Sequence, residues 1–117
     1  MTATINTELF CYQIDTPDKH QATINDPGKQ ILTILLERFH FHYLVRNSED
    51  VLLLFFEQPE YDIYLDFDWL EPNGQFGTPL TNTIENIILD NDLDFEPEDV
   101  LITLNAYNTP VAIRSLL

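Results

Sequence analysis

The stretch VLLLFF at positions 51–56 decides the fold class that the sequence predicts. All of its residues are apolar, which is typical of a central strand that other elements cover on both faces. Before it, Asp26 provides an N-cap and Pro27 suits the first turn of a helix. Apolar residues then recur at helical spacing at Ile31, Ile34 and Leu35. We therefore expect a helix that begins at Asp26, breaks near Phe39 and packs against the strand.

A second pattern follows at 61–70, where YDIYLDFDWL alternates apolar and acidic residues. This period predicts one half-buried strand, joined to 51–56 as an antiparallel hairpin through Pro59-Glu60. Further strands are expected at 8–14, 39–45 and 100–107, and short helices at 83–90 and 111–117. Together the elements predict an α+β fold, with a mainly antiparallel sheet of four to five strands and two to three helices packed on it.

The length of 117 residues favours a single domain over positions 1–117, because this size supports one hydrophobic core. Cys11 is the only cysteine, so no internal disulfide is expected and a reducing compartment fits best. The N-terminus has no basic and continuously apolar signal pattern, and no run of residues is long and apolar enough for a membrane span. We predict a cytoplasmic protein.

The net charge of −15 is confined to one part of the chain. Between Glu49 and Asp99 there are 15 Asp or Glu residues and no Lys, Arg or His, whereas acidic and basic residues balance outside this stretch. Such a surface repels phosphate backbones and anionic lipids and attracts cationic protein surfaces. Direct nucleic-acid binding and membrane binding are therefore disfavoured.

No catalytic or cofactor signature is complete in the sequence. Asp90, Asp92 and Asp94 open like a calcium-binding EF-hand loop, but Phe95 replaces the required glycine and Leu101 the bidentate glutamate. Paired carboxylates such as Asp66 and Asp68 lack any sign of the cleft that glycoside hydrolysis needs, and the acidic surroundings of a Cys11–histidine dyad would raise the pKa of its thiol. We expect no enzymatic activity and no cofactor.

The row of acids at 61–70 suggests a binding surface. Side chains two apart on a strand lie about 6.5–7 Å apart, close to the phosphate spacing of a nucleic-acid strand. We therefore predict an inhibitor that binds a basic, nucleic-acid-acting protein, as a toxin-immunity protein or an anti-restriction or anti-CRISPR nucleic-acid mimic does. Its partner-binding residues are predicted to be Asp62, Tyr64, Asp66, Asp68, Glu71, Asp90, Asp92, Asp94, Glu96, Glu98 and Asp99.

Three alternatives remain open. His40 and His42 would share one face of a strand, where they could bind a transition metal in a metal protein or a small enzyme. The chain could instead be a structural or adaptor subunit. Finally, the acids could form only a solvated face, with Tyr61, Phe67 and Trp69 in the core.

Overall fold

The computed structural model describes residues 21–64 and 68–117. The predicted strand at 8–14, together with Cys11 and Asp66, lies outside these residues. The described elements begin with β1 (Ala22–Ile24), α1 (Asp26–Phe39), β2 (Tyr43–Arg46), β3 (Leu52–Phe55) and β4 (Glu60–Asp62). They continue with β5 (Asp68–Leu70), β6 (Thr78–Pro79), α2 (Thr81–Asp90), β7 (Ile102–Leu104) and β8 (Val111–Ala112). Short 3₁₀ turns lie at Pro97–Asp99 and Ile113–Leu116.

The strands form one larger antiparallel sheet and two small ones, so the predicted α+β class is confirmed. The larger sheet has four strands in the order β6-β3-β2-β8. The small sheets pair β1 with β7 and β4 with β5. Within the described part of the chain, neither helix is long and apolar enough to cross a membrane.

The N-cap of helix α1 lies one residue earlier than the sequence indicated. Asn25, not Asp26, is the N-cap, and its side chain accepts a hydrogen bond from the Gly28 N–H at 2.9 Å. Asp26 lies instead in the first turn, where its charge is favourable at the positive end of the helix dipole. The helix ends as predicted near Phe39, because His40 adopts a left-handed conformation with φ of 64°.

The predicted central strand is confirmed as β3, and both of its faces are buried. Leu54 faces a core that includes Leu35 of α1 and Ile87 of α2. Leu53 and Phe55 point to the opposite face, where they pack with Val45 and Trp69. The four-stranded sheet therefore separates a helical layer from the layer that contains the β4–β5 hairpin.

The single strand predicted at 61–70 is wrong. The chain turns after Asp62, and β4 pairs with β5 instead of with β3, so the predicted hairpin with 51–56 is wrong as well. The Asp62 carboxylate accepts the Tyr64 N–H at 2.9 Å, a local turn contact that competes with an extended strand. Of the side chains expected to face inward, Trp69 is buried, whereas Tyr61 and Ile63 are exposed.

The predicted C-terminal helix is also replaced. Val111 and Ala112 form β8 beside β2, and the four following residues make a 3₁₀ turn, too short a segment for an α-helix. Ile113 and Leu116 are buried, so this end docks against the core as expected. The predicted helix at 83–90 is confirmed as α2, and the strand at 100–107 is confirmed as the shorter β7.

Candidate protein-binding surfaces

The predicted partner-binding residues that the structure describes fall into separate groups. Asp62, Tyr64 and Asp68 lie on the β4–β5 hairpin, in the layer that packs Trp69 against the central sheet. The residues from Asp90 to Asp99 begin at the last residue of α2, in the helical layer on the other face of that sheet. The acidic half of the chain therefore does not form one continuous row.

The hairpin group has a different geometry from the predicted row. Asp62 lies directly opposite Asp68 in the register of β4 and β5. Directly opposed side chains have Cβ atoms about 4.5–5.5 Å apart, and like charges at such positions repel each other. The Asp68 carboxylate accepts the Trp69 N–H at 2.8 Å, which holds it in place. Tyr64, at the turn, is 85% exposed, as a partner-contacting side chain must be.

Glu71 was predicted to bind a partner, and this prediction is wrong. Its side chain is buried, with 4% of the residue exposed, and its Oε2 accepts the Phe56 N–H at 2.9 Å. A buried backbone N–H without an acceptor destabilises the fold, so this carboxylate stabilises the chain just after β3 by accepting the Phe56 N–H. Glu71 therefore does not belong to an exposed binding surface.

The second group is a continuous stretch that we call the acidic segment, Asp90–Asp99. Exposed and partly buried residues alternate over 90–96, which is the pattern that the sequence suggested for 61–70. Leu93 and Phe95 are partly buried against the helical core. Its six carboxylates are all exposed: Asp90, Asp92, Asp94, Glu96, Glu98 and Asp99.

Local hydrogen bonds fix the backbone of the acidic segment at both ends. At its start, the Leu93 N–H donates to the Ile88 carbonyl at 3.0 Å, after Asp92 has turned the chain in a left-handed conformation. At its end, the Asp99 carboxylate accepts the Glu96 N–H at 2.9 Å. The Asn25 side chain also donates to the Asp99 carbonyl at 2.7 Å, which ties the segment to the start of α1.

No carboxylate of the acidic segment forms an ion pair with another described residue. The ion pair found among the described residues joins Arg46 to Asp50, outside the acidic segment, with 2.6 Å between Arg46 Nε and Asp50 Oδ1. That hydrogen bond raises the pKa of the Arg46 guanidinium above its ordinary value. Arg38 donates a hydrogen bond to the neutral Asn91 side chain. The last turn of α2 has no basic residue of its own, and Asp90 lies at the negative end of the helix dipole, where a negative charge is unfavourable.

A polar cavity lies beside the hairpin and was not predicted from the sequence. It encloses about 240 Å³, and we call it the Trp69 cavity. Its described lining includes the aromatic residues Tyr61 and Trp69, the acidic residues Glu49 and Asp68, and the amide residues Asn47 and Asn108. These residues come from two strands and two loops, so no local sequence pattern could have joined them.

The histidine pair does not form the predicted strand face. His40 ends α1 in a left-handed conformation, and His42 precedes β2 with its Nδ1 3.0 Å from the Phe56 carbonyl oxygen. The turn at His40 separates the two side chains from the regular alternation that the metal-binding alternative required. Over residues 21–64 and 68–117, no group of three or more His, Cys, Asp or Glu side chains is arranged to hold a metal ion.

Comparison with known proteins gives no relationship from which a function could be transferred. No protein-family model matches the chain, and no curated protein or solved structure matches it either. The chemistry of the acidic segment and the Trp69 cavity is therefore the guide to function.

Proposed function

We propose that the chain is a non-enzymatic acidic inhibitor that binds a basic, nucleic-acid-acting protein in the cytoplasm and covers its cationic groove. The acidic segment supports this proposal, because its six acidic residues are exposed and none of them forms an ion pair with another described residue. A charged surface of this kind accelerates encounter with a cationic partner and selects against anionic ones. A toxin-immunity protein and an anti-restriction or anti-CRISPR mimic would both use such a surface.

The position of the segment favours binding over solubility alone. Acids at the C-terminal end of a helix are destabilising, whereas the same charges elsewhere on the surface would give solubility without that cost. Leu93 and Phe95 anchor the segment in the core, so its carboxylates are held on a fixed backbone. A preorganised surface loses less conformational entropy on binding than a loose acidic tail would.

Two measurements on one partner test the proposal. The chain is first used at low salt to capture basic proteins from a lysate of its host. Each captured protein is then assayed for nucleic-acid binding or cleavage, with increasing amounts of the chain added. We expect inhibition that weakens steeply as ionic strength rises, because exposed charges are screened over about 8 Å at 0.15 M salt.

Two variants of equal net charge separate a localised surface from bulk acidity. The test variant carries Asp92→Asn, Asp94→Asn, Glu96→Gln and Glu98→Gln within the acidic segment. The matched control carries Glu37→Gln, Glu57→Gln, Glu60→Gln and Glu85→Gln, all at exposed positions outside that segment. We expect the test variant to lose inhibition and the control to retain it. Equal inhibition by both variants, or inhibition that does not change with salt, would show the proposal to be wrong.

A further inference from the structure

We infer that the Trp69 cavity binds the guanidinium group of an arginine side chain, which the basic partner of the proposed function would supply. The cavity combines an aromatic corner with two carboxylates. The rings of Tyr61 and Trp69 have centroids 5.5 Å apart and are tilted by 58°. Aromatic rings attract cations, and carboxylates accept the N–H groups of a guanidinium fork. The two kinds of group together favour an organic cation.

The hydrogen bonds already present in the wall make the cavity a site for donors. Trp69 Nε1–H donates to Asn108 Oδ1 at 3.0 Å, and Asn108 Nδ2 donates to the Ser48 hydroxyl at 3.1 Å. The indole N–H of Trp69 and one N–H of the Asn108 amide are therefore engaged within the protein. Carboxylate oxygens of Glu49 and Asp68 are pure acceptors when ionised. A ligand that brings several N–H donors and a positive charge suits this lining, and an anion does not.

The described part of the lining contributes no cation: none of its residues is Lys, Arg or His. Arg46 is the neighbour of Asn47 in the chain, but its guanidinium is committed elsewhere. It donates to Asp50, to the Leu104 carbonyl at 2.8 Å and to the Tyr107 hydroxyl at 3.0 Å. The protein's own basic residue in this region therefore does not fill the site.

Arg46 also shows the proposed chemistry within this protein. Its guanidinium carbon lies 4.1 Å from the centroid of the Tyr107 ring while Asp50 accepts one of its N–H groups. One guanidinium is thus held by an aromatic ring and a carboxylate together. The Trp69 cavity offers the same two kinds of group.

Arginine fits better than a sugar, the other ligand that aromatic and carboxylate groups often bind. The residue Trp69 is only 8% exposed, so the open ring of the cavity is that of Tyr61, which is 42% exposed. A guanidinium is small and planar and uses edge contacts with carboxylates as well as ring faces, so one open ring is enough for it. Its charge is also opposite to that of the two acidic residues in the described lining.

The fluorescence of the full chain gives a direct test, because Trp69 is its only tryptophan. The probes are N-acetyl-arginine amide and N-acetyl-citrulline amide, which have nearly the same shape but differ in charge. We expect a saturable change in emission with the arginine probe and none with the citrulline probe or with glucose. A saturable response to citrulline amide or to glucose, or no response to the arginine probe, would overturn the inference.

Variants assign the response to the cavity. Asp68→Asn and Glu49→Gln should each weaken binding of the arginine probe by about 3- to 10-fold, since each removes one charged acceptor. Tyr61→Leu should weaken it similarly, and Tyr61→Phe should not, because the ring is the contributing group. Glu85→Gln, on the helical face, is the matched control. Glu49 is exposed, so its replacement tests the site even if Asp68→Asn disturbs the hairpin.

The probe titration needs no partner, so it fails or succeeds independently of the inhibition assay. Unchanged affinity in both carboxylate variants would overturn the cavity inference and leave the acidic segment to its own test. Arginine binding in a chain that inhibits no basic protein would support the cation site and contradict the proposed function.

Discussion

Removing two charges from the acidic segment should stabilise the protein. In the double variant Asp90→Asn, Asp92→Asn, the charges at the C-terminal end of α2 disappear while their size and shape are nearly kept. Asp92 has a positive φ of 53°, which asparagine tolerates well. Neither side chain is in an ion pair with another described residue, so the substitutions remove no stabilising contact of that kind.

The expected gain follows from the helix dipole. Each exposed charge at a helix end changes stability by about 0.3–1 kcal/mol, so the double variant should gain about 1 kcal/mol. For a chain of this size that corresponds to a rise in Tm of about 3–5 °C. Urea unfolding at low ionic strength, monitored by circular dichroism, measures the difference.

A salt series and a control variant of equal charge test whether the gain in stability comes from the helix dipole. At about 1 M salt, where charges are screened over about 3 Å, the gain should fall by more than half. The control Glu57→Gln, Glu85→Gln removes the same charge away from the end of α2 and should gain less. Stability that is unchanged or lower in the double variant at low salt would refute the claim that these acids oppose the helix dipole.

Three further substitutions test contacts that hold the fold. Glu71→Ala should lower stability by about 1–3 kcal/mol because it leaves the Phe56 N–H without its acceptor, whereas Glu71→Gln, which keeps an acceptor, should cost less by urea titration. Gly28→Ala should cost about 1–3 kcal/mol, because an added Cβ would lie 2.5 Å from the Leu101 carbonyl oxygen; a thermal melt equal to that of the unchanged chain would contradict this close approach. Asn25→Ala should cost about 1–2 kcal/mol as a lost helix cap, and hydrogen exchange should rise in both α1 and the acidic segment, not in α1 alone.

The sequence predicted those elements whose pattern is local and strong. The apolar run at 51–56 predicts a covered strand, and Leu53, Leu54 and Phe55 are buried within the central strand β3. The apolar spacing of α1 likewise places Ile31 and Leu35 in the core. In both cases the residues that determine the element lie within it, so no tertiary information was needed.

The errors occur where a local turn or a distant partner decides the structure. The alternation at 61–70 suits a strand, but the Asp62 side chain favours a turn and Trp69 is drawn into the core beside Phe55. In the sequence, Glu71 resembles the other acidic residues of the loops. It is buried because it accepts the Phe56 N–H, 15 residues away in the chain. Such contacts have no signature in a single sequence.

For the candidate surfaces too, the sequence predicted the local composition but not the contacts between distant parts of the chain. The acidic segment could be found from its composition, because six of its ten residues are acidic. Its fixed backbone could not, since Asn25 and the helical core hold it from a distance. The Trp69 cavity depends on side chains from β4, β5 and the loops around Asn47 and Asn108, which only the folded chain brings together.

The most direct test of a localised cation-binding surface is a two-dimensional ¹H–¹⁵N NMR titration of the full chain with an arginine nonamer at low salt. We expect the largest saturable chemical-shift changes at the amides of Asp90–Asp99 and, around the Trp69 cavity, at those of Glu49 and Asp68. Amides beside Glu37 and Glu85 should change little. Shifts of similar size beside every exposed carboxylate would show that the peptide responds to net charge alone, and would contradict the account.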